Sequence, residues 1–120
     1  MTAVYHQITR RLAIAGAPSP DPTVAFSQAV ALGDHNALSV EAWLAATDGT
    51  VSCKIHLEGS NDLCNWTAIT DFTVATVPSH TVSSATDILP WAYVRLRYAI
   101  TSASSDRVLI RAGIEAIQKG

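Results

Sequence analysis

Apolar and polar residues alternate with a period of two along most of this 120-residue chain, and the alternation limits what it can fold into. The cleanest run, residues 51–58, has apolar residues at the odd positions and polar residues at the even ones. Successive side chains of a β-strand point to opposite faces of its sheet, so this run predicts a strand with one buried face. Residues 38–46, 92–100 and 108–116 repeat the pattern, and no segment after residue 23 has convincing helical periodicity.

Residues typical of turns interrupt these runs, among them Gly33-Asp34-His35-Asn36 and Gly59-Ser60-Asn61-Asp62. The resulting strands recur about every 8–12 residues, a spacing that is typical of antiparallel sandwiches and barrels. The sequence therefore predicts an all-β domain of about seven or eight antiparallel strands.

The first 22 residues differ from the rest. Residues 1–15 alternate only weakly, and Tyr5, Ile8 and Leu12 also share a helical face. We weigh an edge strand, a helix and an arm, and we predict an extended N-terminal arm because β-branched residues lead and no helix cap precedes them. Three prolines at alternate positions between 18 and 22 then predict a semi-rigid spacer of about 20 Å. The predicted division is 1–22 for arm and spacer and 23–120 for the β-sandwich.

Composition and charge exclude several classes of function. The net charge is −2 and 15% of the residues are charged, which argues against a strongly basic nucleic-acid binder. No apolar run approaches the length of about 18 residues that marks a membrane span. Residues 1–11 have no apolar core of a secretory signal. We therefore expect neither nucleic acid nor membrane as a partner, and no export.

The two cysteines are Cys53 and Cys64. In a hairpin that turns at residues 59–62 they lie more than about 15 Å apart along the ladder, whereas a disulfide needs Cα atoms within about 7 Å. We predict two free thiols, which fits assembly in a reducing cytoplasm. Neither the cysteines nor the four scattered histidines have the spacing of a zinc site.

The turn after the strand at residues 51–58 contains several oxygen-bearing side chains. Asn61, Asp62, Asn65 and Asp71 could supply calcium ligands, but calcium needs about six to eight oxygens, so we favour a structural turn over a metal site. The chain has no nucleophile elbow, P-loop or zinc-protease motif. We predict that it is not an enzyme and that it has no cofactor.

The same turn carries a family resemblance. Glu58-Gly59-Ser60-Asn61-Asp62 is followed by Trp66-Thr67 and, after a gap, by Tyr93-Val94-Arg95-Leu96-Arg97. Over about residues 50–117 this resembles a recurring bacterial and phage pattern. It is shared by discoidin-like (F5/8 type C) jelly rolls, which bind carbohydrates or lipids, and by small phage structural proteins such as capsid decoration (cement) proteins and tail components. The chain is short for a discoidin module, and Cys64 stands where a small turn residue is usual, which favours the virion family.

The resemblance implies a jelly-roll-like antiparallel β-sandwich and a structural role in a virion. The most concrete form is a capsid decoration protein, assembled in the host cytoplasm, that binds the major capsid protein or another virion protein and copies of itself. A discoidin-like carbohydrate-binding module and a phage tail or baseplate subunit are the alternatives.

Two groups of residues are candidate interaction sites. An apolar arm beyond a spacer can add to a neighbour's sheet edge, so that deleting residues 1–16 should leave a folded monomer that no longer assembles. Trp43, on the polar side of its strand, is expected to be partly exposed or to lie in an interface. The predicted assembly interface is Tyr5, Ile8, Arg10, Arg11, Leu12, Ile14 and Trp43.

A possible ligand patch, for an acidic partner or a sugar, comprises Trp91, Tyr93, Arg95 and Arg97. Arg107 and Arg111 would extend it if the last two strands pair. The alternative is an outer face on which these arginines form cross-strand pairs with Glu58 or Glu115.

Overall fold

The computed structural model describes residues 3–18, 21–46, 51–76, 79–85, 89–103 and 106–118, and the regular elements in that part of the chain are β-strands. In chain order they are β1 (Ala3–Ala15), β2 (Thr23–Phe26), β3 (Val30–Ala31), β4 (Ala37–Ala46), β5 (Ser52–Ser60), β6 (Thr67–Thr76), β7 (Ser79–Ala85), β8 (Tyr93–Thr101) and β9 (Arg107–Ile117).

The strands form two antiparallel sheets. The first sheet has the order β1-β9-β4-β7 and the second has the order β2-β8-β5-β6, with the two-residue β3 also paired to β8. Apart from β3, this is the order of two interlocked Greek keys, a jelly roll. The predicted all-β, jelly-roll-like antiparallel sandwich is confirmed.

The core lies between the sheets, where the alternation predicted it. On β8, Val94, Leu96, Tyr98 and Ile100 are 0% exposed, and the residues between them face outward. Inward side chains of β4, β5 and β9 meet them from both sheets. Because one face of each of these strands is apolar and the other polar, a single register buries the apolar set.

The predicted N-terminal arm is wrong in the structure. Residues 3–15 are β1, which pairs antiparallel with β9 from Ala3↔Ile117 to Ala15↔Arg107 and forms an edge of the first sheet. Ile8 is 5% exposed in the core, and Leu12 and Ile14 pack against it. The physical reason is that β9 has two edges, only one of which is taken by β4, and the apolar residues of β1 complete the core at the other.

The proline-containing segment is a connection between the sheets and not a spacer to a free arm. The Gly16 amide donates to the Asp106 carbonyl at 2.9 Å, and the Ser102 amide donates to the Ala17 carbonyl at 3.1 Å. These bonds hold the segment against the end of β8 as the chain passes from β1 to β2. Residues 19 and 20 of the predicted spacer lie outside the described part.

Both cysteines are free, as predicted. Cys53 points into the core, where burial raises the pKa of its thiol to about 12. Cys64 is exposed on the turn between β5 and β6. A reagent can therefore reach the Cys64 thiol but not the Cys53 thiol. The raised pKa of Cys53 also disfavours the thiolate, which is the form that reacts.

We expect one of the two thiols to react with a disulfide reagent such as DTNB in the native protein at pH 8, and both to react in urea. Cys64→Ser should abolish the native reaction and leave one thiol in urea. Native labelling of the Cys64→Ser variant at the rate of an exposed thiol would contradict the burial of Cys53.

Candidate functional site

A row of side chains crosses the outer face of the first sheet. Trp43 on β4 is in register with His80 on β7 and with Arg111 on β9. The Trp43 and His80 rings are stacked with centroids 4.8 Å apart, and the Arg111 guanidinium carbon lies 4.3 Å from the centroid of the Trp43 ring. Because β4 lies between β7 and β9, the two neighbours flank the indole from opposite sides. Trp43 is half-buried, as its position in the alternation predicted.

An irregularity in β1 extends this row with two more cations. Thr9 pairs with Ala112 and Leu12 with Ile110, so Arg10 and Arg11 both stand opposite the single residue Arg111. An extra residue in one strand is a β-bulge, which redirects the side chains around it. Here it leaves both arginines exposed, whereas strict alternation would turn one of them toward the core.

These residues line a cleft of about 640 Å³. Its cations and rings stand over an apolar wall, and we call it the cationic cleft, lined by Arg10, Arg11, Trp43, His80, Leu109 and Arg111. Within the described residues, no carboxylate forms an ion pair with any of its three arginines. The nearby Glu41 carboxylate is engaged with His80, Oε2 to Nε2 at 3.3 Å. The cleft therefore has positive charge that the described part does not neutralise by direct ion pairs.

A smaller hollow of about 140 Å³ lies beside the cleft on the same face. We call it the acidic hollow, lined by Tyr5, Ser39, Glu41, Gly113 and Glu115. The Tyr5 ring covers Gly113, so closely that a β-carbon there would overlap its hydroxyl. Burial and the charge of Glu41 raise the pKa of Tyr5, while Arg111 acts in the opposite direction.

The structure thus brings together four of the seven residues predicted for an assembly interface. Tyr5, Arg10, Arg11 and Trp43 lie on one outer face, whereas Ile8, Leu12 and Ile14 pack into or against the core and are not offered to a partner. Sequence reasoning missed His80 as a member. Its only signal was a histidine in a polar strand, whose register with Trp43 is set by tertiary structure.

The predicted ligand patch is divided by the structure. Tyr93, Arg95 and Arg97 face outward on β8, in the second sheet. Trp91 packs partly against the core, with its ring over Gly59. Arg107 and Arg111 lie on β9 in the first sheet, and β8 and β9 do not pair, so the condition under which these two residues would extend the patch is not met.

Arg95 and Arg97 are occupied within the molecule. The Arg95 guanidinium carbon lies 4.1 Å from the centroids of both the Phe26 and the Trp66 ring. Its Nε donates to Glu58 Oε1 at 2.8 Å, and Arg97 Nε lies 3.6 Å from Glu58 Oε2. The alternative of cross-strand ion pairs on an outer face is therefore the one that the structure shows.

The turn between β5 and β6 is organised by one carboxylate. Asp62 accepts hydrogen bonds from the amides of Cys64 at 2.9 Å and Asn65 at 2.8 Å, and from the Asn65 side-chain amide at 2.7 Å. These bonds hold the pKa of Asp62 well below its usual range. The carboxylate oxygens are used by the turn itself, as expected for a structural turn. Within the described residues no group of His, Cys, Asp or Glu side chains could hold a metal ion.

The bonds of Asp62 predict a pH dependence. A carboxyl whose pKa is lowered by folding stabilises the native state above its unfolded pKa of about 3.9, and this contribution is lost as the pH falls toward the native pKa. We expect Asp62→Asn to lower the melting temperature at pH 7 and to flatten its decline below pH 4. Asp34→Asn, on another exposed turn, is the matched control. Equal acid slopes for wild type and Asp62→Asn would contradict this role.

Comparisons with known proteins identify the fold and no family. No protein-family model and no curated protein matches the chain. A chain in the structure of infectious bursal disease virus, Gt strain, matches 98% of this chain with a TM-score of 0.65 and 9% identity. This chain spans only about a third of that viral chain, 33% of its length.

Two bacterial structures have the same fold. The CBM22-1 xylan-binding domain of Paenibacillus barcinonensis Xyn10C matches over 98% of this chain and 95% of its own, with a TM-score of 0.56 and 7% identity. A chain of Bacillus endospore appendages, described as disulfide-linked pili, matches over 98% and 90% with a TM-score of 0.50 and 17% identity. At these identities the likeness shows the fold alone. The class defined by fold and site is a jelly-roll β-sandwich with a charged outer face.

No helix long and apolar enough to cross a membrane occurs in the described part of the chain.

Proposed function

We propose that this protein is a structural subunit of a virion, a capsid decoration protein that binds the particle lattice and copies of itself. The likeness in fold to a chain of infectious bursal disease virus supports a role in a particle. The major capsid protein or another virion protein is the proposed partner, and the virion is the proposed location.

The observation that carries the proposal is that two candidate contact surfaces lie on opposite sides of the sandwich. The first sheet presents the cationic cleft and acidic hollow. The second sheet presents Val24 and Phe26 on its edge strand β2, with 43% and 50% of their surfaces exposed. A subunit that joins a lattice to a neighbouring copy needs two such surfaces, whereas a module that captures one ligand needs one.

We assign the lattice contact to the β2 edge. Val24 and Phe26 pair with Ala99 and Arg97 on β8, and the Arg95 guanidinium rests on the Phe26 ring. An exposed aromatic ring beside arginines is the composition that interface centres favour. The short strand also leaves its outer edge open, in the described part, to a strand from another chain.

The test is sedimentation of particles from a virus-producing culture of the source, followed by detection of this chain. We expect the wild type to co-sediment with large, nuclease-protected particles. Val24→Ser should reduce the bound fraction. Val4→Ser is the matched control, because Val4 is also 43% exposed but lies on β1 in the other sheet. A chain that never enters the particle fraction, or equal loss in both variants, would contradict the proposal.

Carbohydrate binding is the second candidate function, because the xylan-binding domain has the same fold over most of its length. The outer face of the second sheet is the place for it, since it carries the outward-facing Tyr93 and, around Arg95, the rings of Trp66 and Phe26. Sugars stack on free aromatic faces, however, and Arg95 covers one face of each of the latter two rings. We expect no retention on xylan and a blank glycan array with and without calcium. Saturable binding lost in Tyr93→Ala would favour this function instead.

Immunogold labelling of particles separates head decoration from a tail or baseplate position.

A further inference from the structure

We infer that the outer face of the first sheet is the surface through which two copies of this chain pair about a two-fold axis. The inference adds to the proposed function the partner of this face. It is tested separately, because pairing is measured on the purified protein without particles.

Charges of opposite sign are separated along this face. The cationic cleft carries Arg10, Arg11 and Arg111, and the acidic hollow carries Glu41 and Glu115. Arg111 and Glu115 are four residues apart on β9 and both exposed, so that about 13 Å separates the two ends. A face with a positive and a negative end is complementary to itself when one copy is reversed.

The register of the strands defines where the axis lies. Trp43 pairs with Arg111, Glu41 with Gly113 and Ser39 with Glu115, so these are three successive rows of outward residues. An axis along the middle row places the first row of one copy against the third row of the other, twice. Arg111 then meets Glu115 of the second copy, and the bulky Trp43 meets the small Ser39. Each contact occurs in duplicate, as an isologous interface requires.

The middle row also fits this arrangement. Gly113 has no side chain, and the Tyr5 ring fills the space over it, so that this row offers the second copy the surface of a ring. Glu41 also lies in this row and would face Glu41 of the second copy. Each of these carboxylates, however, contacts His80 of its own chain at 3.3 Å.

The size of the face is adequate. Four strands about 4.8 Å apart and about ten residues long span roughly 600 Å² in projection. A standard interface buries about 800 Å² of accessible surface per partner, and side chains make accessible area larger than projected area.

Other occupants fit the face less well. A nucleic acid would meet the negative end as well as the cleft, and the chain as a whole carries a net charge of −2. An acidic peptide would neutralise the arginines, but its carboxylates would be repelled by the negative charges of the acidic hollow. A second copy satisfies both ends at once.

The experiment is sedimentation equilibrium of purified wild type and of two charge reversals. In Arg111→Glu the proposed contact between positions 111 and 115 is acidic on both sides, and in Glu115→Arg it is basic on both sides. We expect the wild type to be a dimer whose dissociation constant rises with salt, and each reversal to raise it by at least about tenfold. An equimolar mixture of the two variants should form a heterodimer, because each then offers the sign that the other lacks. Lys54→Glu, a reversal on the opposite sheet, is the control and should leave the dimer intact.

Three outcomes would overturn the inference: a wild type that stays monomeric at its highest soluble concentration, reversals that dimerise like the wild type, or two monomeric variants that do not pair when mixed. If a monomeric wild type instead binds a polyglutamate peptide or an oligonucleotide in the cleft, the occupant is a different molecule. If Arg111→Glu no longer dimerises but still binds particles, the proposed function is unaffected. If the wild type dimerises but does not bind particles, only the proposed function is contradicted.

Discussion

A chain that lacks residues 1–16 is expected to lose its cooperative unfolding transition, and not to persist as the folded monomer that a free arm predicts. The deletion removes β1 and exposes one edge of β9. It also removes Ile8, Leu12 and Ile14 from the core. Burial of one such side chain contributes about 1.5–3 kcal/mol, so the loss approaches the total stability of a domain, about 5–15 kcal/mol. Thermal unfolding followed by circular dichroism is the measurement.

A pair of point variants keeps this prediction testable if the truncated chain is insoluble. Ile8→Ala should cost about 2–5 kcal/mol, because Ile8 is 5% exposed. Val4→Ala, on the same strand but 43% exposed, should cost far less. A truncated monomer that melts cooperatively near the wild-type temperature would return residues 1–16 to the role of an arm.

The alternation of apolar and polar residues was sufficient to predict most of the strands. β8 shows why: its outward and inward positions follow the period of two without exception from Tyr93 to Thr101. The pattern describes one strand at a time, however, and says nothing about which strand lies beside it. The prediction for residues 1–15 was wrong for that reason. Its weak alternation reflects a bulge around Arg10 and Arg11, and its partner β9 begins at residue 107.

The candidate sites were also predictable only in part, because the local sequence does not determine which residues become neighbours in the fold. Arg95 and Arg111 look equivalent in sequence, since each is a cation on the polar side of an alternating strand. The jelly-roll path places consecutive strands β8 and β9 in different sheets, so the two arginines face opposite sides of the molecule. Arg95 has Glu58 as its ion-pair partner, while no described carboxylate pairs with Arg111. Nothing within a few residues of either one distinguishes them.

Replacing Thr9 by valine is expected to cost about 1–3 kcal/mol, although the two side chains have nearly the same shape. Thr9 Oγ1 and the Tyr98 hydroxyl share a hydrogen bond of 2.8 Å inside the core. Burial raises the pKa of Tyr98, and the bond to Thr9 opposes that effect. Thr9→Val leaves a buried hydroxyl without this partner. Urea denaturation at pH 7 measures the cost.

Tyr98→Phe should have a smaller effect of about 1–2 kcal/mol, because the hydroxyl that it leaves unpaired belongs to Thr9, which is 8% exposed, whereas Tyr98 is 0% exposed. In the double variant neither polar group remains, so we expect the two costs to be far from additive, with a coupling of about 1–2 kcal/mol. Additive costs would show that the two hydroxyls do not depend on each other. The bond joins β1 of the first sheet to β8 of the second, one residue before the Arg10-Arg11 bulge. The coupling free energy of this hydrogen bond therefore measures how much it contributes to holding the β1 segment that positions the cationic cleft.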